Sequence, residues 1–380
     1  MRKVKLPVVF LSVLVLALMA TTGSFAAEAK KWWPLDIFWV TDCPKDVGLA
    51  EKMEKGKVHY DQYTPPMKAK RPYNLGVLFP HLKDPWWVGC AYGLWEECKR
   101  LGLYATLLDA GGYDNLGKQI SQLEDLASKG VDAILLAPIS FEGMDHAVKK
   151  VEDQGIPIIE VINDIRTDAV VTKVGVSFYQ VGYGCGQFVV DDVKKRGMKK
   201  AYTAFFPGPP GAGWSEFEWK GFSDAIKTST IPIENLATKW GDTGKDIQLA
   251  LIEDVLTTFG DKLDYLGGDA VPAGTAVLPI KQRGLQDKIK IVSGDISVYV
   301  TPYLKSGEIA AAISTQAADQ YRVAVGLTVE LLNGDRKRED FPDAIGAIVQ
   351  TVTPENFDEF RLDAAVAPEG WRPVFNIKPD

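Results

Sequence analysis

From residue 73 onward short apolar runs alternate with amphipathic stretches, and this alternation is the strongest constraint on the fold. Residues 75–79 read as a strand, and residues 87–101 as a helix that Gly102 ends. Residues 103–108 form the next strand. Asp114 then caps a helix that carries Ile120, Leu123 and Ala127 and stops at Gly130. Strands follow at 132–137, 156–161 and 171–176, with a helix over 143–154. Continuous apolar strands joined by amphipathic helices mean a parallel sheet covered on both faces. A second set has strands at 202–206, 236–240, 265–267 and 289–292, with helices over 217–226, 247–259 and 271–283. Residues 309–313 read as a crossing strand, 321–332 as a helix and 345–352 as a last strand. The fold class is therefore α/β, with two doubly wound parallel-sheet lobes joined by a multi-strand hinge. Residues 72–177 and 309–344 are expected in the first lobe, and residues 178–308 and 345–380 in the second.

The 380 residues and 46% hydrophobic content suffice for two cores. Arg2, Lys3 and Lys5 precede an apolar run over 8–19, and Ser24-Phe25-Ala26 offers small residues to a signal peptidase. Residues 1–26 read as a signal peptide cleaved after Ala26, which places the mature chain in the periplasm without membrane insertion. The net charge of −7 becomes more negative when the three basic residues leave, so nucleic acid and anionic lipid are poor partners. Residues 27–71 mix Trp32, Trp33, Trp39, Tyr60 and Tyr63 with proline and charge, and read as an irregular strap packed on the body. Cys90 and Cys98 share one helix and are too far apart to bridge. Cys185 reads as a packed helix residue, and Cys43 is open to pairing with one of the others.

The turn from strand 75–79 to helix 87–101 carries Lys83-Asp84-Pro85-Trp86-Trp87. Proline fits the first helical turn, where its missing N–H has no intrahelical partner. Adjacent tryptophans thus stand beyond the carboxyl end of a strand, where α/β proteins bind ligands. Aromatic faces beside free backbone N–H groups suit a small methylated amine or a sugar ring. Trp86 is expected to face the ligand. Trp87 has two readings, because it also opens an apolar stripe of Ala91, Leu94, Trp95, Cys98 and Leu101 at helical spacing. His81 is expected at the rim.

Catalytic signatures are missing. The three histidines, His59, His81 and His146, fall in no zinc-binding pattern, and no serine nucleophile elbow occurs. The run Gly182-Tyr183-Gly184-Cys185-Gly186 lacks the third glycine of a dinucleotide fingerprint and reads as close helix packing. Neither an enzyme nor a bound cofactor is indicated.

Several runs, in order, carry a family resemblance. They are Thr64-Pro65-Pro66-Met67-Lys68-Ala69-Lys70-Arg71, Phe79-Pro80 with Leu82-Lys83-Asp84, Asp109-Ala110-Gly111-Gly112-Tyr113, Val174-Gly175-Val176, Phe206-Pro207-Gly208-Pro209, Ala367-Pro368 and Gly370-Trp371-Arg372-Pro373-Val374. The chain resembles the TorT family of periplasmic binding proteins, whose two-lobed fold is of the ribose-binding type (type I). The resemblance implies a non-enzymatic sensor without a cofactor. Such a protein binds trimethylamine N-oxide (TMAO), or a related small methylated amine, between its lobes and signals to the periplasmic domain of a sensor histidine kinase. The family's aromatic box falls on Trp86, Trp87, Tyr113 and Phe178, and Asp84 lies in one of the two most specific motifs. Phe178 stands where the family typically has tryptophan, and Trp86 where it typically has tyrosine. Asp269 and Asp295 follow strands, and either cap helices or contact the ligand. If one faces the ligand, betaine, choline or a methylated amine fits as well as TMAO. Gln316 bridges lobes or touches the ligand. Trp214 and Glu216 are placed to close the pocket from the second lobe. The alternative is the substrate-binding protein of an ABC transporter for a sugar or quaternary amine.

Overall fold

A computed structural model describes residues 33–380. The signal-peptide reading over 1–26 and the first residues of the expected strap lie outside it. The chain opens with β1 (Leu35–Thr41), α1 (Leu49–Lys55) and β2 (Lys57–Tyr63). There follow β3 (Asn74–Phe79), α2 (Pro85–Leu101), β4 (Tyr104–Asp109), α3 (Leu116–Ser128), β5 (Ala133–Leu136), α4 (Asp145–Glu152), β6 (Ile158–Val161) and β7 (Lys173–Val174). The second lobe runs through α5 (Phe178–Lys195), β8 (Ala201–Gly208), α6 (Gly213–Lys227), β9 (Ile233–Trp240), α7 (Lys245–Phe259), β10 (Tyr265–Gly268), α8 (Ala270–Gln282), β11 (Lys290–Ser293), α9 (Thr301–Ser306) and β12 (Ala311–Ser314). Then come α10 (Ala317–Asn333), β13 (Ala344–Ala347), β14 (Gln350–Val352) and β15 (Asn376–Ile377).

The first sheet has the order β15-β4-β3-β5-β6-β7-β13-β1-β2, and the second β14-β12-β11-β10-β8-β9. Each contains the doubly wound pattern in which the first parallel strand lies between the second and the third. Strand residues alternate between the two faces, so each sheet feeds two cores. In β3, Leu75, Val77 and Phe79 join one cluster while Leu78 joins the opposite one. In β8, Ala204 and Phe206 pack on one side and Phe205 on the other. The glycine-rich run in α5 serves close helix packing: a Cβ at Gly182 would lie 1.8 Å from the Glu218 carbonyl of α6.

Three expectations change. Residues 35–63 are not an irregular strap. β1 and β2 pair antiparallel, and β1 also pairs antiparallel with β13, extending the first sheet. Leu35 and Ile37 pack on one face, Phe38 and Val40 on the other, and Asp36 is exposed, a strand alternation that the interspersed charges and aromatics obscured. Residues 311–314 are not a crossing strand of the first lobe, because β12 pairs parallel with β11 and antiparallel with β14 in the second sheet. A wholly buried apolar strand carries no mark of which sheet receives it. The segment from 345 onward is also divided. β13 belongs to the first sheet and β14 to the second, and β15 returns to pair with β4 in the first.

The chain therefore passes between lobes after β7, after β12, after β13 and again after β14. Gln316 adopts φ 56° at the second passage, and its Nε2 donates to the Ile348 carbonyl of the third at 2.6 Å. Two hinge segments are thereby tied together. The described cysteines are all unpaired.

Candidate functional site

Where strand order reverses, neighbouring βα loops diverge and leave a crevice at the carboxyl ends of the strands. Both lobes present that crevice to each other. A tight cavity between them is lined by Asp84, Trp86, Trp87, Tyr113, Asn163, Phe178, Trp214, Thr243, Asp269 and Asp295.

The first wall is built on α2. Asp84 caps it, Oδ1 accepting from the backbone N–H of Trp86 at 3.0 Å and of Trp87 at 3.2 Å. Pro85 fills the first turn, and the cap aims both indoles at the opposite lobe. The rings meet edge to face at 5.1 Å. Trp87 satisfies both readings, since it packs on Phe79 at 5.0 Å within the core and also lines the cavity. Tyr113, beyond β4, accepts hydrogen bonds at its hydroxyl from Asn163 Nδ2 and from Trp214 Nε1, each at 3.1 Å. With those donors on its oxygen, the phenolic proton is left to give to a guest.

The second wall closes onto the first. Trp214 stands near the start of α6 and meets Phe178 at 5.8 Å. Gly208, at φ 111°, lets that indole lie against the backbone: a Cβ there would sit 2.4 Å from the ring. Thr243, beyond β9, donates to Asp84 Oδ2 at 2.9 Å. Asp295 accepts from the Trp86 indole N–H, from the Thr315 hydroxyl and N–H, and from the Ile296 N–H. The Thr243–Asp84 and Trp86–Asp295 bonds, with the Lys83–Asp242 ion pair, hold the lobes together.

The three lining carboxylates differ in how well they are satisfied. Asp295 accepts from four donors and is a latch rather than a helix cap. Asp84 accepts from three. Asp269 precedes α8, where only the backbone N–H groups of Ala270 and Val271 approach its carboxylate. Burial raises Asp269 to about 7, the Asp84 charge adding to it and the nearby N–H groups of Ala270 and Val271 opposing. Burial likewise raises Asp295 to about 6 against the pull of its donors. Behind the wall, Glu218 is buried with Oε1 unpartnered, and burial first, then Asp269 and Asp295, pushes its pKa well up. Neither lysine nor arginine lines the cavity. No cluster of histidine, cysteine, aspartate and glutamate able to hold a metal occurs among the described residues.

Of the residues singled out in the sequence, Asp84, Trp86, Trp87, Tyr113, Phe178, Trp214, Asp269 and Asp295 converge on this cavity. Gln316 instead braces the hinge. Glu216 is exposed and accepts from the Gly211 N–H. His81 is not at the rim but 1% exposed, behind Tyr113 and Trp87. Sequence reasoning missed Asn163 and Thr243. Both sit in loops that follow strands, and a systematic reading of every such loop would have found them.

A match to the periplasmic binding protein domain spans residues 75–336. The chain belongs to the periplasmic binding protein family. This family binds ligands rather than transforming them. The periplasmic protein TorT of Escherichia coli K12 is 31% identical over 316 residues, covering 83% of this chain and 87% of TorT. An ABC transporter solute binding protein from Bradyrhizobium sp. BTAi1, solved with bound Bis-Tris, is 36% identical with a TM-score of 0.75, covering 91% of this chain and 99% of that one. The complex of the TorS sensor domain with TorT in the presence of TMAO matches in fold, with 24% identity, a TM-score of 0.69, and coverage of 80% of this chain and 99% of that one.

Proposed function

We propose that this protein binds a small substituted amine carrying positive charge between its lobes in the periplasm, and that the closed, loaded form is read by the periplasmic domain of a sensor histidine kinase. One observation carries the ligand class: aromatic rings and three carboxylates line the cavity, and no basic side chain does. Each aromatic face contributes about 0.5–2 kcal/mol toward a soft, weakly hydrated cation. Asp269 is the carboxylate with the most capacity left for that charge, and Tyr113 the hydroxyl with a proton left for an oxygen on the guest. Choline and hydroxyalkyl amines have both features. Bis-Tris, bound by the Bradyrhizobium relative, is itself a tertiary amine bearing hydroxyls.

TMAO is a second reading, supported by the TorT relationship. Its oxide oxygen would take the Tyr113 proton while its methyl groups lie on the indoles. Isothermal calorimetry of TMAO, choline, betaine and ribose at pH 5.5 and 8 tests the assignment. An amine cation should bind more tightly at pH 8, with ribose weakest. Ribose binding above every amine would overturn it.

The sensor role is supported by the likeness to TorT, and delivery to an ABC transporter by the likeness to the Bradyrhizobium protein. Deletion of the gene should abolish an amine-dependent transcriptional response and leave uptake of labelled amine intact. Lost uptake would select the transporter.

A further inference from the structure

We propose that Nδ1 of His81 is a proton-binding site coupled to the ligand cavity, so that a proton taken up there opposes a cationic amine. The argument begins with a single hydroxyl proton. Thr243 Oγ1 lies 2.9 Å from Asp84 Oδ2 and 3.2 Å from His81 Nε2. A carboxylate only accepts, so the Thr243 proton goes to Asp84, and His81 Nε2 must carry the hydrogen that reaches Thr243. In the neutral ring Nδ1 then bears a bare lone pair. It is buried without a partner and lies 3.7 Å from Asp84 Oδ2, which offers only further lone pairs. A proton on Nδ1 satisfies both atoms at once.

The surroundings decide what that proton does. Charged neighbours are Asp84 and Lys83 from the loop before α2, Asp109 at the end of β4, and Asp242 beyond β9. The rings of Tyr113, at 5.4 Å, and Trp87, at 6.2 Å, separate His81 from the cavity they line. Burial holds His81 below its usual range and the Asp84 charge pulls it back up, so it is neutral at neutral pH and titrates on the acid side. Protonation would place a positive charge behind the aromatic wall and compensate Asp84, leaving the cavity less attractive to a cation. Linkage makes the effect reciprocal: a bound cation must depress proton affinity at His81 by the same factor. Because Thr243 belongs to the second lobe, the proton also changes a contact that holds the lobes closed.

The ligand half of this inference rests on the amine reading, whereas the tautomer does not. Nitrogen NMR of the protein labelled with ¹⁵N-histidine tests both, and with histidines only at 59, 81 and 146, a His81→Gln spectrum assigns the signal. At pH 8 the His81 ring should be the Nε2–H tautomer, with acid adding the second proton on Nδ1. Saturating choline should lower the midpoint by about one pH unit, the tenfold that one unit represents. Choline affinity should fall between pH 7.5 and 5.0 about tenfold more steeply in the wild type than in His81→Gln. The glutamine keeps an N–H donor for Thr243 but does not titrate, so any weakening it retains belongs to Asp269 and Asp295. A neutral Nδ1–H tautomer, or a midpoint unmoved by bound choline, would overturn the proposal. Absence of choline binding at every pH would instead overturn the amine reading and, with it, only the coupling.

Discussion

The two lobes contribute different chemistry to one cavity. The first supplies indoles that are also core residues: Trp86 and Trp87 belong to the main cluster of that lobe, and their helix is capped by Asp84. The second supplies Asp269 and Asp295 at the ends of β10 and β11, together with a roof, Trp214, that needs Gly208 beneath it. Rings held by core packing form a surface already shaped before ligand arrives. Carboxylates on the facing lobe join it only on closure, when water is excluded and charge interactions strengthen. On the proposed reading the first lobe mainly reads shape, and Asp269 and Asp295 of the second add charge to that of Asp84.

This division breaks most readily at Asp269. Asp269→Asn should weaken choline about thirtyfold, roughly 2 kcal/mol, since it removes the partner of a desolvated cation. TMAO affinity should be unchanged or improved. Calorimetry with both ligands decides, and equal losses would show that Asp269 supports the wall rather than reading charge.

Trp86→Ala tests the other lobe. It removes one ring face and the Asp295 latch together, and should cost on the order of 1–3 kcal/mol in amine affinity without unfolding the protein. Unlike Asp269→Asn, it should weaken choline and TMAO alike. A folded Trp86→Ala variant with unaltered affinity would remove the first lobe from recognition.

The pH dependence sharpens the comparison. Asp269, raised to about 7, holds a cation only when ionised, so choline affinity should climb as pH rises through about 7 and then level. TMAO, whose oxygen prefers a protonated neighbour, should not follow. The ligand-free protein should show the opposite trend in stability. A carboxyl whose folded pKa lies above its unfolded value of about 4 contributes stability that is fully present below about 4 and is lost as pH rises from there through the folded values of about 6 and about 7. Melting scans without ligand should therefore fall over this interval, and Asp269→Asn should flatten part of the decline.

Asp295→Asn should have the smallest effect. An amide keeps an oxygen for the Trp86 indole but cannot accept from all four donors, so closure weakens by about 1 kcal/mol for either ligand. Solution scattering should show a slightly larger radius of gyration than for the ligand-saturated wild type. A strong preference for TMAO in this variant would restore Asp295 to the role of charge reader.

The sequence made much of this legible, for identifiable reasons. The turn at Asp84 to Trp87 combines a cap, a first-turn proline and two indoles, all local features, and the structure places these residues on the cavity. Tyr113, Phe178 and Trp214 follow from motifs and from their positions beyond strands. Asn163 and Thr243 carry no local mark, because an asparagine or threonine in a loop is ordinary until its partner across the cleft is known. The N-terminal hairpin escaped for a related reason: β1 joins the sheet by pairing with β13, some three hundred residues away in the chain, and β2 pairs with β1.

What the sequence by itself determined was periodic and local: alternating strands and helices, the capped start of α2, and the two-lobed class those elements imply. Only the tertiary structure decided the rest, namely which sheet accepted β12, that Gln316 braces the hinge, and that Asp295 is a latch while Asp269 has capacity left for a guest. The physical reason is that a carboxylate's role depends on how many donors surround it. Here the Thr315 hydroxyl and the backbone N–H groups come from strand ends brought together by the second sheet, and the Trp86 indole from the opposite lobe.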